Sequence, residues 1–181
     1  DVANTKKMSR IPEGAFRMGC DEPAGAEDGE GPTRSVEINE FWIDVTCVSN
    51  MEFSRFIHAT KYRTQAEQIG WSYVFSAQLH PDSRSHVIDG AVLEVPWWFA
   101  VKGAHWRAPD GPGSSVTDKM DHPVVHISWN DALAFATWAG KRLPTESEWE
   151  KAARGNLKQC TYPWGDELVP EGIHLSLIHI S

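Results

Sequence analysis

Tryptophan is the feature of this sequence that most limits what the chain can fold into. The 181 residues include nine Trp, together with eleven Pro and fourteen Gly. A tryptophan ring buries a large apolar surface and carries one N–H donor, whereas Pro and Gly interrupt regular helices and strands. A chain rich in all three predicts a fold with many loops, short regular elements and a core packed by large rings. The length suits a single domain.

Short strands are predicted where apolar and polar residues of β-branched and aromatic type alternate. The pattern occurs at residues 15–20 and 35–48, and again in WSYVF and VPWWFAV. The apolar run HPVVHISW, residues 122–129, also favours a strand. The segments HPDSRSHVIDG and RAPDGPGSSVTDK are rich in turn-forming residues and are predicted as loops. Because long irregular stretches inside a domain are usually functional or poorly ordered, a binding surface is expected within residues 71–120.

Four helices are predicted from capping residues that precede apolar residues at helical spacing. A Ser, Thr, Asp or Asn at the start can accept a backbone N–H bond, and a Glu three residues later completes a capping box. The predicted starts are Asn50, the Thr64–Glu67 box, Ser128 and the Thr145–Glu148 box. On the last of these helices, Trp149 is interpreted as a ring that fills the core, and Gly155 as the stop signal. Short helices beside short strands indicate the α+β class.

Charge and hydropathy exclude two classes of partner. The formal net charge is −8 and the pI is near 5.4, which argues against a nucleic-acid surface, because such surfaces need clustered Lys and Arg. No apolar run approaches the ~20 residues that a membrane-spanning helix requires. Much of the acidity lies at residues 21–31, which are interpreted as a solvated loop; calcium binding there stays open, although EF-hand spacing is missing.

Metal-binding and nucleophilic patterns are weak in this sequence. His122 and His126 are four apart, but on a strand that spacing separates them by about 13 Å, too far for a shared ion. The alternative is one half-buried and one peripheral histidine. Cys20, Cys47 and Cys160 are too few and too scattered for a disulfide scaffold or a zinc site. The sequence shows no Ser/His/Asp order, no P-loop and no GxGxxG pattern.

One long segment nevertheless resembles a known family, the formylglycine-generating enzymes or sulfatase-modifying factors. The segment is HPVVHISWNDALAFATWAGKRLPTESEWEKAARG, followed by YPWGDEL. Earlier segments agree with the family, namely IPEGAFRMG, VSNMEFSRF, YRTQAEQIGWSYVF and VPWWFAVKGAHWRAPDGPGS. Together they cover residues 11–172, which the resemblance identifies as the N-terminal part of the family's domain. The implied fold is α+β, distantly similar to C-type lectins, with little regular secondary structure.

The resemblance also implies an activity. The family's best-known reaction converts the Cys of a Cys-X-Pro-X-Arg motif in sulfatases to formylglycine with copper and dioxygen. Two cysteines near the family's C-terminal end carry it, and calcium sites lie in the same part. Cys20, Cys47 and Cys160 do not fall at those positions, and residues 173–181, IHLSLIHIS, do not resemble the family. We therefore expect this chain to be a C-terminally truncated fragment of an oxidoreductase, with an unrelated, artefactual tail. We expect the fragment to be inactive alone, and the resemblance assigns no catalytic residue and no metal ligand to it.

Three residues are expected to bind substrate because of the resemblance. Trp97 matches a ring that lines the family's peptide groove, and Ser72 lies beside that groove in GWSYVF. Trp71 stands where some animal enzymes carry an aspartate near the substrate arginine, whereas bacterial enzymes and the non-catalytic animal paralogue can carry tryptophan. An extended peptide needs apolar walls and polar groups at its edges. The alternative is that Trp97 and Trp98 belong to the core.

Two other functions stay open. The first is a non-catalytic paralogue that binds sulfatases or the active enzyme, favoured by the GWS stretch and by Ala136 and Ala153, where other members carry disulfide cysteines. The second is an ergothioneine-forming sulfoxide synthase, whose iron ligands come mainly from a preceding helical domain that is not visible here. The resemblance implies unfolded sulfatase polypeptides as partners, and hetero- or homodimers with family members. It implies the endoplasmic reticulum lumen or secretory pathway for a eukaryotic protein and the cytoplasm for a bacterial one.

Overall fold

The four predicted helices are present in the computed structural model, and a capping box starts each of them. The structure describes residues 7–22, 29–92 and 95–172, with the backbone alone for 89–92. The helices are α1 (Asn50–Thr60), α2 (Gln65–Ile69), α3 (Trp129–Trp138) and α4 (Glu146–Arg154). The side chain at the start of each helix accepts a backbone N–H bond, and an acid three residues later binds back to the capping residue.

The predicted cap of α1 is wrong by one residue. Ser49 is the capping residue, and Glu52 completes its box. Asn50 is instead the first helical residue; it is buried, and its side-chain amide donates to the Lys119 carbonyl at 2.8 Å. Because Ser and Asn both cap well, the choice between two adjacent candidates depends on which one the tertiary structure buries.

Within the ranges that the structure describes, seven short strands form three small antiparallel sheets. The strands are β1 (Met8–Ile11), β2 (Gly14–Met18), β3 (Arg34–Ile38), β4 (Phe41–Asp44), β5 (Trp71–Phe75), β6 (Val87–Val92) and β7 (Val95–Lys102). β1 pairs with β4, β2 pairs with β3, and the third sheet has the order β5-β7-β6. The fold is therefore a mixed α+β fold with short elements, as its turn-rich composition predicts.

The chain divides into two compact units, and the first is Thr46–Leu143 with its described residues. It contains α1, α2, α3 and the three-stranded sheet. Its main core is packed by large rings, as predicted, but Phe supplies more of them than Trp: Phe53 contacts Phe56 at 5.4 Å and Trp106 at 5.3 Å between ring centroids. A smaller cluster of Val74, Val101 and Ala104 is buried against one face of the sheet.

The second unit contains β1 to β4 and α4, within residues 7–45 and 144–172 of the described chain. Polar side chains of α4 bind the backbone around β2. Glu150 Oε1 accepts from the Gly19 amide and from Arg154 Nε, each at 2.8 Å, and Lys151 Nζ donates to the Gly14 carbonyl at 2.7 Å. These charged side chains thus attach α4 to the backbone of β2 and the residue that follows it.

Several local predictions are wrong, and the reasons are tertiary. HPVVHISW forms no strand: Pro123 makes an isolated bridge to Ser49, and His126 has a φ of 58°. HPDSRSHVIDG is not a loop, since Pro81–His86 is a 3-10 helix and β6 follows it. The predicted strand at 35–48 is two strands with different partners, β3 and β4.

The core role of Trp149 is also wrong, because its side chain is 55% exposed on α4. Residues 23–28 of the acidic segment and the predicted tail at 173–181 lie outside the described residues. Within the described part of the chain, no helix combines the length and the apolar character needed to cross a membrane.

Candidate functional site

The three predicted substrate-binding residues lie on β5 and β7, but on different faces of the sheet. Ser72 pairs with Val101, and Phe75 pairs with Trp98. Because side chains alternate along a strand, Ser72 and Trp97 share one face, and Trp71 projects from the opposite face. The structure therefore brings Ser72 and Trp97 to one side of the sheet and separates Trp71 from them.

The face that carries Trp71 is a row of aromatic rings. Trp71 contacts Tyr73 edge to face at 5.1 Å, and Phe75 contacts Trp98 in the same way at 5.6 Å. Tyr73 is 46% exposed and Trp98 is 38% exposed. The opposite face holds the buried cluster that includes Val74 and Val101, so the strands expose their aromatic side to solvent and bury their aliphatic side.

The alternative interpretation of Trp97 and Trp98 as core residues does not hold, because Trp97 is 48% exposed as well. A large exposed ring on a strand is a common feature of binding surfaces. The structure shows where Trp97, Ser72 and Trp71 lie, and their role in substrate binding stays a prediction.

Ser72 is held by a histidine that the sequence did not associate with it. The Ser72 hydroxyl lies 2.8 Å from Nδ1 of His126, and Nε2 of the same ring lies 2.8 Å from the Pro109 carbonyl oxygen. A carbonyl can only accept, so Nε2 carries the proton that is donated to Pro109. In the neutral ring, Nδ1 then accepts the Ser72 hydroxyl proton, and both lone pairs of the Ser72 oxygen stay available as acceptors.

Burial favours the neutral form of the His126 ring. Desolvation is the largest influence and lowers the pKa of His126, and the neighbouring His105 lowers it further. The hydrogen bond to the Pro109 carbonyl and the charge of Asp110 act in the opposite direction. Burial likewise lowers the pKa of His105, against the opposing charge of Glu67. The left-handed backbone at His126, φ 58°, is uncommon for a residue with a Cβ and is held here by two side-chain hydrogen bonds.

The loop that supplies the Pro109 carbonyl packs tightly beside the sheet. Gly111 has a φ of 93°, and a Cβ there would lie 2.3 Å from Ser83 Oγ and 3.0 Å from a Val101 methyl group. Only glycine fits that position without displacement. The close packing fixes the loop and therefore the acceptor of the His126 ring.

Asp131 is a second polar centre that sequence reasoning missed. Its carboxylate is fully buried and accepts from the Ser128 amide at 2.9 Å, the Gln65 amide at 3.1 Å and the Tyr62 hydroxyl at 2.9 Å. One carboxylate thus caps α3 and also binds the first amide of α2, the helix that leads into β5. Burial and the neighbouring Asp131 both raise the pKa of Tyr62. The spacing of Ser128 and Asp131 is the sequence signal that predicts the first of these bonds.

The described residues do not assemble a metal site. His126 is half-buried and hydrogen-bonded at both ring nitrogens, whereas His122 is exposed, as the alternative interpretation predicted. Cys20, Cys47 and Cys160 are not joined by disulfide bonds within the described residues. Within residues 7–22, 29–92 and 95–172, no group of three or more His, Cys, Asp or Glu side chains could hold a metal ion. The described side chains therefore offer no donor set that fits copper or calcium.

Comparison with known proteins agrees with the resemblance. The family model described as "Sulfatase-modifying factor enzyme 1-like domain" matches residues 1–180. The formylglycine-generating enzyme of Thermomonospora curvata is 59% identical over 170 residues, 93% of this chain and 55% of that protein. The Bos taurus formylglycine-generating enzyme is 51% identical over 172 residues, 95% of this chain and 46% of that protein.

The inactive C-alpha-formylglycine-generating enzyme 2 of Bos taurus is also similar, with 47% identity over 171 residues, 94% of this chain and 56% of that protein. The chain thus spans about half the length of these relatives. A family match over nearly the whole chain, together with these identities, leads to one conclusion. This chain belongs to the sulfatase-modifying factor family.

Proposed function

We propose that the natural-length protein is a copper- and dioxygen-dependent formylglycine-generating oxidase that converts the Cys of a Cys-X-Pro-X-Arg motif in sulfatases to formylglycine. The observation that carries the proposal is the 59% identity to a formylglycine-generating enzyme over 93% of the chain. In that proposal residues 11–172 are the N-terminal part of the catalytic domain. The fold is of the C-type-lectin-like type.

The part of these residues in the reaction is to bind and orient the substrate peptide. On one face of β5 and β7 the aromatic row that includes Trp71 offers apolar contact surface. On the opposite face, which Ser72 shares with Trp97, Ser72 offers a hydroxyl oxygen whose proton is already committed to His126. An extended peptide beside β5 would find an acceptor at Ser72 for one of its amide protons. Trp97 and Trp71 supply rings on the two sides of the strand pair, for the apolar residues of the motif.

The oxidising chemistry is assigned to a different part of the protein. Copper would need thiolates, and the described residues of this chain do not bring such a donor set together. In the proposal, the copper-binding cysteines and the structural calcium sites follow these residues in the natural-length protein, and the present chain alone is inactive. The proposed location is the endoplasmic reticulum or secretory pathway in a eukaryote, or the cytoplasm in a bacterium.

A second function is favoured by one specific observation, the 47% identity to the inactive relative. In that case the protein binds unfolded sulfatases, or forms hetero- or homodimers with an active family member, and does not oxidise the cysteine. The same peptide-binding residues would serve both functions, so binding alone does not separate them.

One experiment distinguishes the two functions. The natural-length protein is incubated with copper, dioxygen and a peptide that contains Cys-X-Pro-X-Arg, and the product is examined by mass spectrometry and by aldehyde-specific labelling. Conversion of the thiol to an aldehyde supports the oxidase. Binding of the peptide without conversion supports the paralogue, and a peptide with Ser in place of the Cys is the matched control.

A further inference from the structure

A groove in the first unit is basic although the chain as a whole is acidic. The groove has a volume of about 840 Å³ and is built by the C-terminal half of α1, the link to α2, the Trp106–Arg107 loop and the end of α3. Its basic side chains are Arg55, His58, Lys61, Arg63 and Arg107, and its one carboxylate among the described lining residues is Glu67. The predicted substrate-binding residues Trp71, Ser72 and Trp97 do not line it.

The carboxylate of Glu67 is fully engaged. One oxygen accepts from the Thr64 amide and hydroxyl in the capping box of α2, and the other accepts from Arg107 at 2.8 Å. Within the described part of the chain, the Arg55 guanidinium makes a hydrogen bond to the Met51 sulfur at 3.6 Å and no ion pair. Among the described residues, Lys61 and His58 have no side-chain ion pair. Basic side chains therefore outnumber acidic ones in the lining of the groove, although Asp and Glu outnumber Lys and Arg in the chain as a whole.

The helix dipole explains only a part of this excess. His58 lies in the last turn of α1 and Lys61 is its C-terminal cap, where a cation is favourable. Arg55 lies in the middle of α1, and Arg63 and Arg107 belong to other segments of the chain. Collecting five basic side chains from three segments around one groove costs repulsion that an anionic ligand would relieve.

The floor of the groove is aromatic. Tyr62, Trp106 and Trp138 line it, and the Arg107 guanidinium stands 4.3 Å above the centre of the Trp106 ring. That cation–π contact and the bond to Glu67 hold the guanidinium in place before any ligand binds. A volume of this size is in the range of small-molecule sites, which combine an apolar surface with a few placed polar groups.

We propose that this groove binds a small organic oxyanion, in which a phosphate, sulfate or carboxylate group is attached to a flat apolar body. The basic side chains of α1 and Arg107 bind the oxyanion, and the rings of Tyr62 and Trp138 contact the apolar body. Guanidinium groups are well suited to this role because they donate paired hydrogen bonds to oxyanions. The site is independent of the proposed oxidase function.

The probe is 1-naphthyl phosphate, titrated calorimetrically into the natural-length protein. Inorganic phosphate tests the charge alone, and 1-naphthol tests the apolar body alone. We expect 1-naphthyl phosphate to bind about tenfold or more tightly than either, and its affinity to fall as salt is added. Equal affinity for inorganic phosphate and 1-naphthyl phosphate would overturn the role of the aromatic floor.

The variant R55Q/K61Q removes two charges from the groove, and R84Q/K102Q removes two exposed charges of the same unit outside it. Thermal melting of both establishes that each remains folded. We expect R55Q/K61Q to bind the probe at least about tenfold more weakly and R84Q/K102Q to bind it like the unaltered protein. Unchanged binding by R55Q/K61Q, or an equal loss in R84Q/K102Q, contradicts the proposal.

Discussion

Ser72 Oγ lies 2.8 Å from Nδ1 of His126, although 54 positions of the chain separate the two residues. The bond joins a strand residue with one in a left-handed backbone conformation, and the same ring is fixed at its other nitrogen by the Pro109 carbonyl. The orientation of the Ser72 hydroxyl therefore depends on residues that come from three separate segments of the chain.

The first prediction concerns the energy of this bond. Ser72→Ala, His126→Asn and the double variant form a mutant cycle, in which Asn replaces His because it tolerates a positive φ. We expect a coupling of roughly 1 kcal/mol in the free energy of unfolding, measured with urea, because each single change leaves a partly buried group without its partner. Ser54→Ala is the control, since its hydroxyl bonds to the Met51 carbonyl; its effect should add to that of His126→Asn.

The second prediction concerns pH. Burial lowers the pKa of His126 and His105 below the ordinary value of 6.5. Just below that value the unfolded chain binds more protons than the folded chain. The stability that the two buried histidines contribute is therefore fully present above pH 6.5 and is lost as the pH falls. We expect the free energy of unfolding to decrease from about pH 7 to about pH 5.

The matched variants for this pH dependence are His126→Asn and His122→Asn. The first should reduce the slope between those pH values, because one buried histidine no longer gains a proton on unfolding. The second removes an exposed imidazole and is the control for the substitution itself. Identical slopes in the unaltered protein and His126→Asn would show that the ring does not titrate differently in the two states.

The third prediction concerns Asp131. Replacing it with Asn keeps the shape but places an amide group against N–H and O–H donors, so we expect a loss of about 2–4 kcal/mol in the free energy of unfolding. Asp118→Asn, at an exposed position, should change it by less than about 0.5 kcal/mol. Chemical unfolding followed by circular dichroism measures both. A loss below about 1 kcal/mol for Asp131→Asn would mean that another group satisfies these donors.

The fourth prediction concerns Trp97 and rests on the proposed function. Because its ring is 48% exposed, Trp97→Leu should alter stability by less than about 1 kcal/mol but weaken binding of a Cys-X-Pro-X-Arg peptide by about tenfold. Fluorescence anisotropy of a labelled peptide measures the affinity. Trp149→Leu is the control, since that ring is 55% exposed on α4; an equal loss in both variants would argue against a specific role for Trp97.

Short-range signals predicted much of the secondary structure. The boxes of Thr64 with Glu67 and of Thr145 with Glu148 form where they were predicted, because their bonds join residues three apart. The strands WSYVF and VPWWFAV were predicted for a similar reason, since both their composition and their alternation favour a pleated surface. The strand predicted at HPVVHISW does not form, because Pro123 and the left-handed backbone at His126 interrupt it. Apolar periodicity alone cannot distinguish such a run from a strand.

The sequence by itself determined the family, the α+β class and the starts of most helices, because these depend on residue order and on bonds between near neighbours. Only the tertiary structure decided which side chains form the candidate site. It placed Ser72 beside His126, separated Trp71 from Trp97, left Trp149 exposed and used the Asp131 carboxylate for two helices. Each of these outcomes depends on strand register and on burial across distant segments, and neither is written in the local spacing of residues.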